Sequence, residues 1–371
     1  MIYLDNAAST MTDPEVTDLL ATVMNNFYAN PSSAHDAGRE ARYLIEESRK
    51  TIAGILQCEP ADIIFTSGGT EAINLLFYNM GLDENIRHII TSPLEHPAVL
   101  YSLDHFGLSE KTEFVNILPD ATPDLQHLED MLKVMPGAFV SLMHVNNECG
   151  SILDVKTVSD LCRKHGALFF SDTVQSIGKI PVSISEFQLD FAACSAHKFH
   201  GPRGIGFLMK KGNRHFKPHT VGGGQENGLR SGTENTASIA AMCKALEIST
   251  SHLSEFSQKA NQLKTLLVHQ LRSSFPEIRF IGHPQQTIPQ ILSIAIPAHE
   301  DNIMLTDKLG KEGFAVSAGS ACHATSKKST LLSCLGMDQF FSLRVSFSKF
   351  TTTKEVNEFA DAMSRLMRMP S

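Results

Sequence analysis

Phe139-Val140-Ser141-Leu142-Met143, then Val155, Val158, Leu161 and Cys162 at helical spacing, then Ala167-Leu168-Phe169-Phe170: residues 139–170 read as a strand, a crossover helix and a second strand. Strands buried on both faces of a parallel sheet are apolar throughout rather than alternating, and both runs have that character. Working outward, similar runs recur at Ile63-Ile64-Phe65, His88-Ile89-Ile90, Phe191-Ala192-Ala193 and Gly206-Phe207-Leu208-Met209. The pattern predicts a mostly parallel α/β unit. After Gly232-Thr233-Glu234-Asn235 a long helical region is expected, roughly Ala237 to Ser273, ended by Pro276. A smaller α+β unit follows, with strands near Ile291 to Ile296 and Leu343 to Phe347 and a last helix from about Thr353 to Leu366.

At 371 residues the chain is long enough for a large core and for two domains. A net charge of -8, without any long run of Lys and Arg, gives no footprint for nucleic acid or an anionic membrane, so small molecules and proteins are the expected partners. No apolar run approaches membrane-spanning length, and Met1-Ile2-Tyr3-Leu4-Asp5 reads as a strand-like start rather than a secretory leader. Cys58, Cys149, Cys162, Cys194, Cys243, Cys322 and Cys334 are scattered, odd in number and without a Cys-x-x-Cys pair. That argues against a disulfide framework or a zinc site and for a reducing, cytoplasmic compartment; no metal is expected.

The chemistry concentrates at strand ends. Ser195-Ala196-His197-Lys198 closes an apolar run and Gly201-Pro202-Arg203-Gly204 follows, which delivers Lys198 from a strand end into a tight turn, a placement suited to a Schiff-base lysine. Asp172 ends another apolar strand, where a carboxylate could keep a pyridine nitrogen protonated; as a single residue, a helix-capping aspartate explains it equally well. Gln175 is within reach of a ring hydroxyl, though a surface glutamine is the ordinary alternative. Thr66-Ser67-Gly68-Gly69-Thr70-Glu71 joins a strand to a helix start whose free N–H groups suit a phosphate. Taken alone, a threonine cap after a glycine turn accounts better for that segment. Ser195, His197 and Thr233 are further phosphate donors with structural roles also open to them. His96 could stack on a ring and relay protons, but it is one of 16 histidines. Cys322, in Ser317-Ala318-Gly319-Ser320-Ala321-Cys322, lies among small residues that suit a moving nucleophile, with His323, Lys327 and Lys328 nearby to favour its thiolate. The other six cysteines read as small buried hydrophobes. In combination these features point to a pyridoxal phosphate (PLP) enzyme of sulfur chemistry.

The sequence resembles the cysteine desulfurase family of class-V, fold-type-I PLP enzymes nearly end to end. The matching segments are Tyr3-Leu4-Asp5-Asn6-Ala7-Ala8, Asn30-Pro31-Ser32-Ser33, Phe65 to Ala72, Glu95-His96-Pro97, Val145-Asn146-Asn147-Glu148, Ala196-His197-Lys198-Phe199, Gly222 to Glu226, Arg230 to Asn235 and Gly319-Ser320-Ala321-Cys322. The resemblance implies that Lys198 links covalently to PLP, Asp172 pairs with the pyridine nitrogen, Gln175 with the ring hydroxyl, and His96 stacks on the ring. It also implies that Gly69, Thr70, Ser195 and His197 hold the phosphate with Thr233 of a neighbouring subunit, hence a homodimer, and that Asn147 and Arg344 orient the carboxylate of L-cysteine. Cys322 would take the sulfur as a persulfide, leaving alanine, for a sulfur-acceptor protein of iron–sulfur cluster assembly or tRNA thiolation. The implied division is an N-terminal segment 1–14 associated with the small domain, a large PLP-binding domain 15–250, and a small domain 251–371 carrying the cysteine loop.

Three positions depart from the family pattern: Thr173 where alanine is common beneath the ring, His323 after the nucleophile, and Lys349 where a second arginine is common. Lys349 is the reserve candidate for the carboxylate clamp. A selenocysteine lyase or an aminotransferase-like enzyme shares the fold, and a non-catalytic sulfur-transfer scaffold is the alternative of another class. Lys198, Asp172 and Cys322 together argue against the scaffold.

Overall fold

The computed structural model describes residues 1–283, 285–298, 304–318 and 329–368. Its strands are β1 (Ile2–Tyr3), β2 (Ile63–Thr66), β3 (Ile89–Thr91), β4 (Thr112–Phe114), β5 (Phe139–Ser141), β6 (Leu168–Asp172), β7 (Phe191–Ser195), β8 (Gly206–Lys210), β9 (Arg279–Ile281), β10 (Ile291–Pro297), β11 (Phe314–Ala315), β12 (Ser317–Ala318) and β13 (Phe340–Ser346). A seven-stranded sheet runs in the order β2-β8-β7-β6-β5-β3-β4. β4, β3, β5, β6 and β7 are parallel, and β8 pairs antiparallel with both β7 and β2, so it alone is reversed.

The continuous apolar runs are explained by burial on both faces. Val140, Phe169, Ala192 and Phe207 pack into one apolar cluster. Their chain neighbours Phe139, Phe170, Phe191 and Leu208 pack into the cluster on the opposite face, the two-residue period of a strand. Helix Val155–Lys164 is the predicted crossover between β5 and β6, burying Val155, Val158 and Cys162.

A second sheet, β12-β13-β10-β9, is antiparallel throughout. Its cluster gathers Leu263, Leu267 and Leu271 of helix Leu253–Ser274 with Val356 and Phe359 of helix Thr353–Arg368. The start of the chain joins this part: β1 pairs parallel with β11, and Leu4 is fully buried in the same cluster.

The helical region expected from Ala237 to Ser273 is two helices, Thr236–Ser251 and Leu253–Ser274, separated at His252. The break follows Ser249-Thr250-Ser251, whose hydroxyls donate to the carbonyls of Phe199, Leu246 and Glu247 and so compete with the helical ladder.

Candidate active site

A crevice lies at the carboxyl ends of the parallel strands, the place where open α/β sheets hold ligands. His96 follows β3, Asn147 follows β5, Asp172 ends β6 and Ser195 ends β7. With Gly69 and Thr70 at the start of helix Gly69–Leu82, Gln175, His197, Lys198, and Arg344 from β13, they line a cavity of about 400 Å³. That volume suits a small organic cofactor with its substrate. Thr233 does not line it; it lies in a separate depression with Ser67 and Arg230. Cys322, His323, Lys327 and Lys328 fall outside the described residues.

A short 3₁₀ turn, Ala196–Lys198, carries Lys198 from the end of β7 into the cavity. Its Nζ donates to the carbonyls of Ala7 at 2.7 Å and Ala8 at 2.8 Å. Burial pushes Lys198 down to about 8, helped by the Arg344 guanidinium and opposed by Asp172 and Asp5. An amine so lowered is available as a nucleophile near neutrality.

The Asp172 carboxylate accepts the Val174 N–H at 2.9 Å, and among the described residues no basic side chain hydrogen-bonds to it. Burial raises its pKa; His96 and Lys198 oppose the shift. A carboxylate that burial leaves short of cationic partners is stabilised by one such as a ring N–H⁺. His96 caps helix Pro97–His105, its Nδ1 accepting the Ala98 N–H at 3.0 Å. That bond places the ring proton on Nε2, and burial, then Lys198, lowers the pKa against the pull of Asp172, so the imidazole is neutral.

Helix Gly69–Leu82 begins after Gly68 without any side-chain cap, so Thr70 is not the capping threonine that the segment alone suggests. The first-turn N–H groups are thereby left for an anion. Close approach requires glycine here: a Cβ on Gly69 would stand 2.7 Å from Val174 Cγ2, and one on Gly206 would stand 2.1 Å from the Cys194 carbonyl oxygen. His197, pushed down to about 4 by burial, faces Ser9 Oγ at 3.2 Å.

Arg344 donates from Nη1 to the Asn147 carbonyl at 2.7 Å and from Nη2 to Asp5 Oδ1 at 2.8 Å. Its Nε is buried without a partner among the described residues. The unmet N–H, the uncapped helix start and the buried acid opposite a lowered lysine fit a flat, phosphate-bearing pyridine cofactor and a carboxylate substrate.

Two of the sequence departures resolve differently from expectation. Thr173 does not line the cavity; its hydroxyl donates to the Ala193 carbonyl at 2.8 Å, tying β6 to β7. Lys349 is no reserve clamp, because its Nζ is paired with Asp13 and lies over the rings of Phe256 and Phe350, away from the cavity lining. Cys334 is exposed and Cys58 half-buried, so not every remaining cysteine is a buried hydrophobe. Sequence reasoning on single residues missed the carbonyls of Ala7 and Ala8, the Asp5 partner of Arg344 and Lys179. Only the quoted Asp5-Asn6-Ala7-Ala8 segment offered a signal for the first three.

Residues 2–359 match the family described as aminotransferase class-V. The chain is 32% identical to a cysteine desulfurase of Trichormus azollae, over 99% of this chain and 93% of that one. It is 33% identical to the cysteine desulfurase IscS of Dictyoglomus turgidum, over 99% and 94%. A solved NifS-like protein from Rickettsia africae superposes with a TM-score of 0.90 at 31% identity, covering 100% of both chains.

Proposed function

This chain belongs to the aminotransferase class-V family, and from that premise we propose that it is a PLP-dependent cysteine desulfurase. It converts L-cysteine to L-alanine and transfers the sulfur to one of its own cysteines. The observation that carries this reading is the meeting, in one cavity, of a lysine lowered to about 8, a buried carboxyl, a glutamine amide and an arginine with an unmet N–H.

Bound there, PLP supplies an electron sink for the bonds around the substrate's Cα. Lys198 would hold its carbonyl carbon, Asp172 its ring nitrogen, Gln175 its ring hydroxyl, and His96 its face. The free N–H groups of the helix start, with Thr70, Ser195 and His197, would bind its phosphate. Arg344 keeps its remaining N–H groups for the substrate carboxylate, and Asn147 is fixed beside it through its own carbonyl. His96 carries a proton at Nε2 and Lys198 has a pKa close to neutrality, which equips both to move protons to and from the substrate.

Cys322 is the proposed sulfur acceptor. In support, every cysteine thiol among the described residues is pushed up by burial, Cys58 and Cys243 to about 12, so none of them offers a ready thiolate. Cys322 also follows shortly after β12, whose Ser317 is in register with Arg344. The fate of the persulfide sulfur is proposed to be an acceptor protein of iron–sulfur assembly or tRNA thiolation, in a reducing cytoplasm where thiols persist. The chain is proposed to work as a homodimer in which Thr233 serves the partner's phosphate site; its position outside its own cavity supports this.

The test is to incubate the purified protein with L-cysteine and measure alanine and protein-bound persulfide in the same sample. Equal amounts of both in the first turnover are expected. Failure to form either defeats the reading.

A further inference from the structure

Lys179 sits in the interior with only 8% of its surface exposed, and its Nζ donates to Gln175 Oε1. The titratable groups that act on it or feel it are Lys198, Arg344, His197 and His200, all of them cations when charged. A lysine buried among like charges is unfavourable for stability. Among the described residues its one side-chain partner is a residue of the cofactor cavity.

The two ends of an amide are not equivalent: the oxygen only accepts and the nitrogen only donates. At one end of the Gln175 amide stands the Lys179 amino group; at the other Nε2 donates to the Ala7 carbonyl at 2.8 Å. Turning the amide over would set oxygen against oxygen at Ala7 and, with the Lys179 amine protonated, donor against donor at Lys179. One orientation is therefore enforced, and it leaves the second N–H of Nε2 unused at a residue that lines the cavity.

We propose that Lys179 is a positioning residue, which fixes the Gln175 amide so that it offers an N–H, and not its oxygen, to the ring hydroxyl of the bound cofactor. The inference rests on the cofactor reading above. An N–H donated to that oxygen favours the ionised form, so its loss moves the pH midpoint of the cofactor's visible absorption upward.

The experiment uses four variants loaded with PLP, the visible pH titration of each, and thermal melts of the cofactor-free proteins. Lys179→Met is expected to raise the midpoint by about one pH unit and to leave the cofactor-free melting temperature unchanged or higher, since it removes a buried amine. Lys179→Arg retains a donor, and a cavity of about 40 Å³ beside Lys179 gives it room; its midpoint should stay with the parent. Gln175→Ala should shift like Lys179→Met, and the double variant should shift no further than Gln175→Ala alone. A Lys179→Met shift that persists undiminished in the Gln175→Ala background would show a through-space charge effect and overturn the proposal. So would a parental midpoint in Lys179→Met, a Lys179→Arg midpoint displaced as far as that of Lys179→Met, or a cofactor-free Lys179→Met protein that melts well below the parent. A parent protein with no visible band from PLP would overturn the cofactor reading itself, and this inference with it.

Discussion

Arg344 illustrates how much a single side chain is asked to do: the guanidinium carries five N–H groups, and the fold uses one on the Asn147 carbonyl and one on Asp5. The Nη N–H groups that remain are what a substrate carboxylate would meet, while the buried Nε has no partner among the described residues. Arg344→Ala should raise KM for L-cysteine by roughly ten- to a hundredfold, the range expected for a lost charge-assisted pair, with cofactor content unchanged. Arg344→Lys should recover only part of it, because an ammonium cannot reproduce the fork. Parental KM in both variants would place the clamp elsewhere. Cys322→Ser separates sulfur capture from cofactor chemistry. L-cysteine should still change the visible spectrum, since Lys198, Asp172 and Arg344 are intact, while alanine and persulfide both fall to near zero; peptide mass spectrometry that puts the added sulfur on Cys149 or Cys334 would refute the assignment.

Among the elements, the start of helix Gly69–Leu82 is the most sensitive. A methyl group on Gly69 would strike the Val174 side chain, so Gly69→Ala must push the helix start away from the loop after β6. Overpacking of this kind costs enough to weaken PLP binding about tenfold, measurable by fluorescence titration of the cofactor-free protein; unchanged affinity would mean that the phosphate is not held there. The buried strands around this helix were legible because both faces of the sheet are covered, and their apolar runs located β2, β3, β5, β6, β7 and β8. β4 was not, since Thr112-Glu113-Phe114 is a largely exposed edge strand without an apolar run. Lys198 and Asp172 could be read from their positions at strand ends, whereas His96, one of 16 histidines, stood out only through the family resemblance. Lys179 could not, because nothing in a lone lysine's sequence neighbourhood reveals that its amine turns inward to a glutamine four residues earlier.

For the molecule as a whole, acid stability follows from histidines buried in the neutral state. His144 is buried against the Phe187 ring, has an Nδ1 without a partner among the described residues, and is pushed down to about 4 by burial. Its unfolded value is about 6.5, so between the two the unfolded chain binds the extra proton. The stability is therefore present above about 6.5 and is lost as pH falls towards 4. Urea unfolding should show a loss of roughly 2 kcal/mol from this residue between pH 7 and pH 5, and His144→Leu should flatten the profile by that amount; an equally steep profile would assign the acid sensitivity to other groups. The same global view gives the pairing of β1 with β11 a meaning in time. Asn6 bonds to Ser346 across 340 positions of the chain, and the neighbouring Ala7 and Ala8 carbonyls hold Lys198. At about 5–20 residues per second, a ribosome needs tens of seconds to make the partner of that first segment. Until then the strap over Lys198 has only its bonds to the loops of the large sheet, Ala7 to Gln175 and Thr10 to His197, so the pocket is completed only after β13 has been made.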